Sequence, residues 1–302
     1  MKTLFITMLL FTLAFINCNK NNRILDQAKD DKGKTFYLNH EMSNIDYEIF
    51  LNDILVGQSF NNNGLPSPIN LNAYIFENGL QKVKIKLTSA PGKKITQEVI
   101  SRINKNLAIH LLTGHDYNGI KEVVKLDFPA ILSPVQQYEH EWSFQADAIK
   151  GIDHLKDSQN LVQINKELLQ KEVLQKFEEL RKLLNEGNGQ AFMKEIETAK
   201  ENFFLAENMS TDKQNEYNAD MKEYFDSHKG TLPALGNSTM RIMGNGRAVA
   251  LENNSNHKGL GILSSEDVEN NTFNMNYIIL HKPIGSDQFN IFRYNCNYTN
   301  LK

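Results

Sequence analysis

The chain is poor in cysteine, in tryptophan and in net charge. It has only two cysteines among 302 residues, Cys18 and Cys296, so a disulfide scaffold is excluded. Its 33 lysines and arginines stand against 36 acidic residues, and no lysine–arginine cluster with interleaved aromatics occurs. A balance so close to neutral gives no electrostatic footprint for nucleic acid. No apolar run reaches the roughly 20 residues that a membrane-spanning helix needs. Catalytic spellings are thin as well. Neither a Gly-x-Ser-x-Gly elbow nor a Ser-x-x-Lys in a usable context stands out, and Ser43, Ser67 and Ser133 sit among turn-forming residues.

What is there begins at the N-terminus. Lys2 precedes a greasy run from Leu4 to Ile16, which stops at Asn17-Cys18. A basic start followed by about 13 apolar residues has the form of a secretory signal peptide. A cysteine placed just after the apolar run resembles the lipobox of bacterial lipoproteins, with Phe15-Ile16-Asn17 before Cys18. The family prefers leucine three places upstream and a small residue just before the cysteine, and this chain departs at Phe15 and Asn17. The resemblance implies cleavage after residue 17, acylation of Cys18 and anchoring in the cell envelope, at the outer membrane or the periplasmic face. More than one acyl chain is needed for stable retention. Residues 18–34 are polar apart from Ile24 and Leu25, and read as a flexible tether.

From Thr35 the pattern has the period of strands. Ile45, Tyr47, Ile49 and Leu51 alternate with Asp46, Glu48 and Phe50, and Asn52-Asp53 suits a tight hairpin. Val83, Ile85 and Leu87 alternate with lysines after the turn at Asn78-Gly79. Leu107, Ile109 and Leu111 follow, then Asn118-Gly119, then Val124, Leu126 and Phe128. Seven or so short strands divided by turn signals predict an antiparallel β-sandwich over 35–147. The stretch Asn78 to Leu87 resembles the late hairpin of immunoglobulin-like sandwiches, which implies that fold class and no function.

The period turns helical near Gln159. Leu169, Val173, Phe177, Leu180 and Leu184 make one stripe, and Gly187-Asn188-Gly189 ends it. A second helix carries Phe192, Ile196, Ala199 and Phe203. A third follows a capping-box pattern from Thr211 to Gln214 and stops before Gly230. Strands return over 238–296, with Gly244-Asn245-Gly246 as a hairpin turn. Residues 148–302 therefore read as three helices, about 159–229, on an antiparallel sheet, and the whole chain as α+β.

Candidate sites are few. Gly244-x-Gly246 is followed by a strand rather than a helix, so it is a turn and no phosphate loop. Glu139-His140-Glu141 alternates across a strand, so His140 cannot share a metal with both neighbours, and His154, His110 and His115-Asp116 lack ligand spacing. No metal, cofactor or catalytic set is assigned. Tyr138, Trp142 and Phe144 share one strand face, which makes them a possible binding platform or a piece of core. The expectation is an envelope lipoprotein that acts by binding a protein or glycan without catalysis. Two alternatives are an immunity-type protein that neutralises a secreted toxin, and a hydrolase with a site between the two modules.

Overall fold

The computed structural model describes residues 34–60, 63–64, 67–113, 120–147, 151–254, 258–268 and 271–300. The leader, Cys18, the tether up to residue 33, His115-Asp116 and the turn at Asn118-Gly119 lie outside them. Among the described residues, no helix is long and apolar enough to cross a membrane.

The N-terminal half contains β1 (Lys34–Asn39), β2 (Asp46–Leu51), β3 (Ile54–Phe60), β4 (Asn63–Gly64), β5 (Ile69–Asn70), β6 (Gly79–Thr88), α1 (Gln97–Asn106), β7 (Ala108–Thr113), β8 (Ile120–Lys125) and β9 (Gln137–Ala146). Its strands form two antiparallel sheets, ordered β5-β1-β7-β8 and β4-β3-β2-β6-β9. The hairpin between β2 and β3 turns on Asn52 and Asp53 at φ 50° and 66°, a conformation that asparagine and aspartate adopt at little steric cost. Alternation decides what faces inward. Val83, Ile85 and Leu87 are fully buried, and they meet Phe36, Leu38, Ile49, Leu51, Ile109 and Phe144 in one cluster shared by both sheets.

The strand-only expectation for 35–147 missed α1. Thr96 caps it, its hydroxyl accepting from Val99 N, and Ile100 and Ile103 enter the shared cluster. Only two buried residues serve ten helical positions, too few to stand out against the strand pattern that follows.

The C-terminal half contains α2 (Lys166–Asn185), α3 (Gly189–Glu195), α4 (Glu197–Ala206), α5 (Thr211–Asp226), β10 (Ser238–Met243), β11 (Ala248–Asn253), β12 (Ser265–Asp267), β13 (Thr272–His281) and β14 (Asn290–Asn300). The sheet runs β10-β11-β13-β12, with β14 paired along β13. Among the described residues, four α-helices stand where three are expected. The second divides at Ile196, which closes α3 and opens α4. Its apolar spacing passes through the break because Phe192, Ile196 and Ala199 all stay in the core. The capping box is also corrected: Ser210 is the N-cap of α5 without a side-chain bond, and Gln214 instead donates to the Met209 carbonyl at 2.8 Å.

The α2 stripe Leu169, Val173, Phe177, Leu180 and Leu184 is buried against Val249, Leu251, Ile278 and Leu280 of the sheet. Asn165 starts α2 by accepting from Glu167 N at 3.0 Å and Leu168 N at 3.1 Å. Asn165→Ala leaves both amides without that acceptor. It is expected to lower the unfolding free energy by about 1 kcal/mol in denaturant titration.

The two halves share a core. Phe50, Ile54 and Leu55 of the first pack with Leu155, Met243, Ala248, Tyr277, Ile279 and Phe292 of the second. The paired turns also join, with Gly244 N donating to the Asp53 carbonyl at 3.1 Å and Asn245 N to Asp53 Oδ2 at 3.0 Å. Gly244 has no room for a side chain, since a Cβ would stand 2.3 Å from Leu155 Cδ1.

Candidate functional site

A cavity of about 170 Å3 lies where β3, a 3-10 turn at Asn72–Tyr74, α4 and β14 meet. Val56, Ile69, Ala73, Phe203, Glu207 and Arg293 are among its lining residues, with Tyr74 beside them. Each element is held for a local reason. Asn72 fixes the 3-10 turn from within, accepting from Phe36 N and donating to the Lys34 carbonyl, both at 2.9 Å. On β3 Val56 is the unpaired residue of a β-bulge, between Leu55 opposite Phe50 and Gly57 opposite Ile49, and it lines the cavity. On α4, Ala199, Phe203 and Ala206 recur at helical spacing toward the cavity.

Arg293 is the unusual member. It is only 3% exposed, and its guanidinium is held by main-chain carbonyls: Nε donates to Ala73 O at 2.9 Å, Nη1 to Phe292 O at 2.6 Å and Nη2 to Asp153 O at 3.3 Å. It stacks over Phe292, 4.1 Å from the ring centre, and over Phe76 at 5.7 Å. No carboxylate lies within ion-pair distance of it among the described residues. Burial drives its pKa down to about 10, against the longer-range help of Tyr74 and Asp153. Burial also raises the Tyr74 phenol, an effect that Arg293 opposes. The Glu207 carboxyl is likewise pushed up by burial, with the Asn70 amide opposing.

A smaller pocket of about 10 Å3 adjoins and shares Val56, Tyr74, Tyr294 and Asn295 with the cavity. Gln58 lines it, 3% exposed, and neither atom of its side-chain amide has a partner among the described residues. Buried amides are ordinarily bonded, so this pair of atoms is an exception that asks for a reason.

The residues singled out in the sequence fall elsewhere. Tyr138 and Trp142 pack against Phe128, with ring centres 5.5 and 4.8 Å away. Their polar ends reach main-chain carbonyls, Tyr138 Oη donating to Pro129 O and Trp142 Nε1 to Asp127 O. Phe144 is buried against Phe36. Tyr138 and Trp142 are thus engaged by Asp127, Phe128 and Pro129. His140 lies edge-on to Trp142 on β9, whereas His154 lies beside Phe76 in a separate polar depression with Glu77, Lys156 and Arg247. No three histidines, cysteines or acids converge as metal ligands among the described residues. The Cys296 thiol is pushed far above its usual range by burial.

Two serine arrangements escaped the sequence reading. Ser210-Thr211-Asp212-Lys213 has a serine three places before a lysine at a helix start, yet both side chains are exposed and neither lines a cavity described above. Ser158 Oγ stands 2.8 Å from His281 Nδ1, with Asp153 acting on the imidazole from a distance. Ser158 is wholly buried, and Asp153 Oδ2 is engaged by Asn202, so this is a structural hydrogen bond with no path for a substrate. Arg293 itself left one faint trace in the sequence: it continues the apolar alternation Phe289, Ile291 with a charge. Comparison with family models, curated proteins and solved structures finds no match to this chain.

Proposed function

We propose that the chain is an envelope lipoprotein, anchored through Cys18, whose folded part binds a small molecule without transforming it. One observation carries the binding half: a buried guanidinium, with no carboxylate partner among the described residues, beside an open cavity lined by both halves of the fold. Burying an unpaired charge costs several kcal/mol, and such a cost is retained where a ligand offsets it. The aromatic row Tyr138, Trp142 and Phe144 supports the reading less, because its polar ends are already bonded inward. We read residues 35–147 as an immunoglobulin-like sandwich, since two antiparallel sheets share one cluster, and 148–302 as a helical layer on a third sheet.

The anchor has its own test. Cells fed an alkyne palmitate are expected to label the wild-type protein and to leave Cys18→Ala unlabelled. Label on the variant, or none on the wild type, removes the anchor. For the binding half, thermal stabilisation of the purified protein is read against a panel of small metabolites. A panel that shifts nothing removes the cavity as a binding site.

A further inference from the structure

We propose that the cavity at Arg293 takes a small monocarboxylate with an apolar body, its carboxylate on Arg293 and Tyr74. The proposal rests on the binding reading above and names the ligand class for the same site.

The chemistry follows from counting donors. A guanidinium has five N–H groups. Three are spent on the carbonyls of Ala73, Phe292 and Asp153, which leaves one hydrogen on each Nη. Two N–H groups on the two Nη atoms are suited to a carboxylate. Three neutral carbonyls satisfy hydrogen bonds without cancelling the charge. The carboxylate nearest in effect, Asp153, is engaged by Asn202 Nδ2 at 3.2 Å. Tyr74 adds a further donor, for it lines the same cavity as Arg293 and its hydroxyl makes no hydrogen bond among the described residues.

Shape sets the rest of the ligand. Val56, Ile69, Ala73 and Phe203 give apolar walls. An apolar cavity of about 150 Å3 is known to hold benzene, so about 170 Å3 admits a ring that carries a carboxylate. The Gln58 amide lies in the adjoining pocket of about 10 Å3, which has room for no more than a water, so it takes no part in holding the ligand. Glu207 is the acidic member of the lining and opposes an anion, so the carboxylate is placed at the Arg293 side of the cavity. A cationic ligand would have to sit beside Arg293.

The probes are benzoate, benzyl alcohol and benzylamine, matched in body and different in charge, titrated calorimetrically into the folded protein. Benzoate is expected to bind at least about tenfold more tightly than either of the others. Tyr74→Phe, which removes one oxygen, is expected to weaken benzoate about five- to tenfold at an unchanged circular dichroism spectrum. Arg293→Lys is expected to abolish the preference. Should that variant not fold, Tyr74→Phe decides alone. Equal binding of benzyl alcohol or benzylamine overturns the ligand class and leaves the binding reading intact. Benzoate binding undiminished in Tyr74→Phe places it elsewhere and overturns the proposal. A wild type that binds none of the three overturns it as well, and the metabolite panel then judges the binding reading separately.

Discussion

Replacing Arg241 by methionine is expected to lower the unfolding free energy by about 3 to 5 kcal/mol, read by denaturant titration at neutral pH. Arg241 stands on β10 and joins both halves. Its Nη2 reaches Glu48 Oε1 on β2 at 2.5 Å, and its Nε bonds Glu252 on β11. Glu48 and Glu252 are each only 6% exposed. Removing the cation leaves two carboxylates in a poorly solvated place, and the cost of an unpaired buried charge exceeds what the pair contributes when whole. Two partners survive and temper the loss. Lys86 Nζ lies 3.5 Å from Glu48, and Tyr277 Oη donates to Glu252 at 2.7 Å.

A second variant separates charge from packing. Arg241 also covers the Phe50 ring, 5.8 Å from its centre, so some of the loss belongs to the side-chain stem. Burial already holds the Glu252 carboxyl above its usual range despite Arg241. Adding Glu252→Gln to Arg241→Met is therefore expected to recover about half of the loss. A loss under about 1 kcal/mol for the single variant would mean that water screens the cluster as at a surface pair.

This cluster marks where the sequence was readable and where it was not. Within one element the period sufficed. The α2 stripe and the β6 alternation are buried where the spacing put them, and Asn52-Asp53 turns as its residue types require. On β2 the same logic fell short. Glu48 and Phe50 alternate with Tyr47, Ile49 and Leu51, which are the apolar face, yet they are buried too, under residues some 190 positions away. Phe273 to Leu280 on β13 is likewise buried on both faces: Ile278 and Leu280 pack with the helices, Tyr277 and Ile279 with the N-terminal half, and Phe273 and Met275 with Leu260. Periodicity reports which residues share a face, and only the fold says what covers it. The cavity has the same origin: Ala73, Asp153 and Arg293 meet through main-chain carbonyls, which carry no side-chain signature.

Acid is expected to act through histidines that the fold keeps neutral. Burial lowers both His40 and His281 to about 4, from an ordinary value of 6.5. His40 is 8% exposed, and neither ring nitrogen has a hydrogen-bond partner among the described residues to hold a proton. Between those two values the unfolded chain holds the proton and the folded chain does not. Stability therefore rises with pH across that window, by about 1.4 kcal/mol per pH unit for each histidine. From pH 7.5 to pH 5 each is expected to cost about 2 kcal/mol, together about 4. Glu207 and Glu252, raised by burial, titrate in the opposite sense and offset part of this. His40→Leu isolates one contribution, because it removes the proton site without breaking a hydrogen bond. Denaturant titrations at pH 7.5 and 5 are expected to show a pH-dependent loss smaller by about 2 kcal/mol in the variant than in the wild type. Equal losses in the two proteins would show that His40 takes up its proton in the folded state as readily as in the unfolded chain.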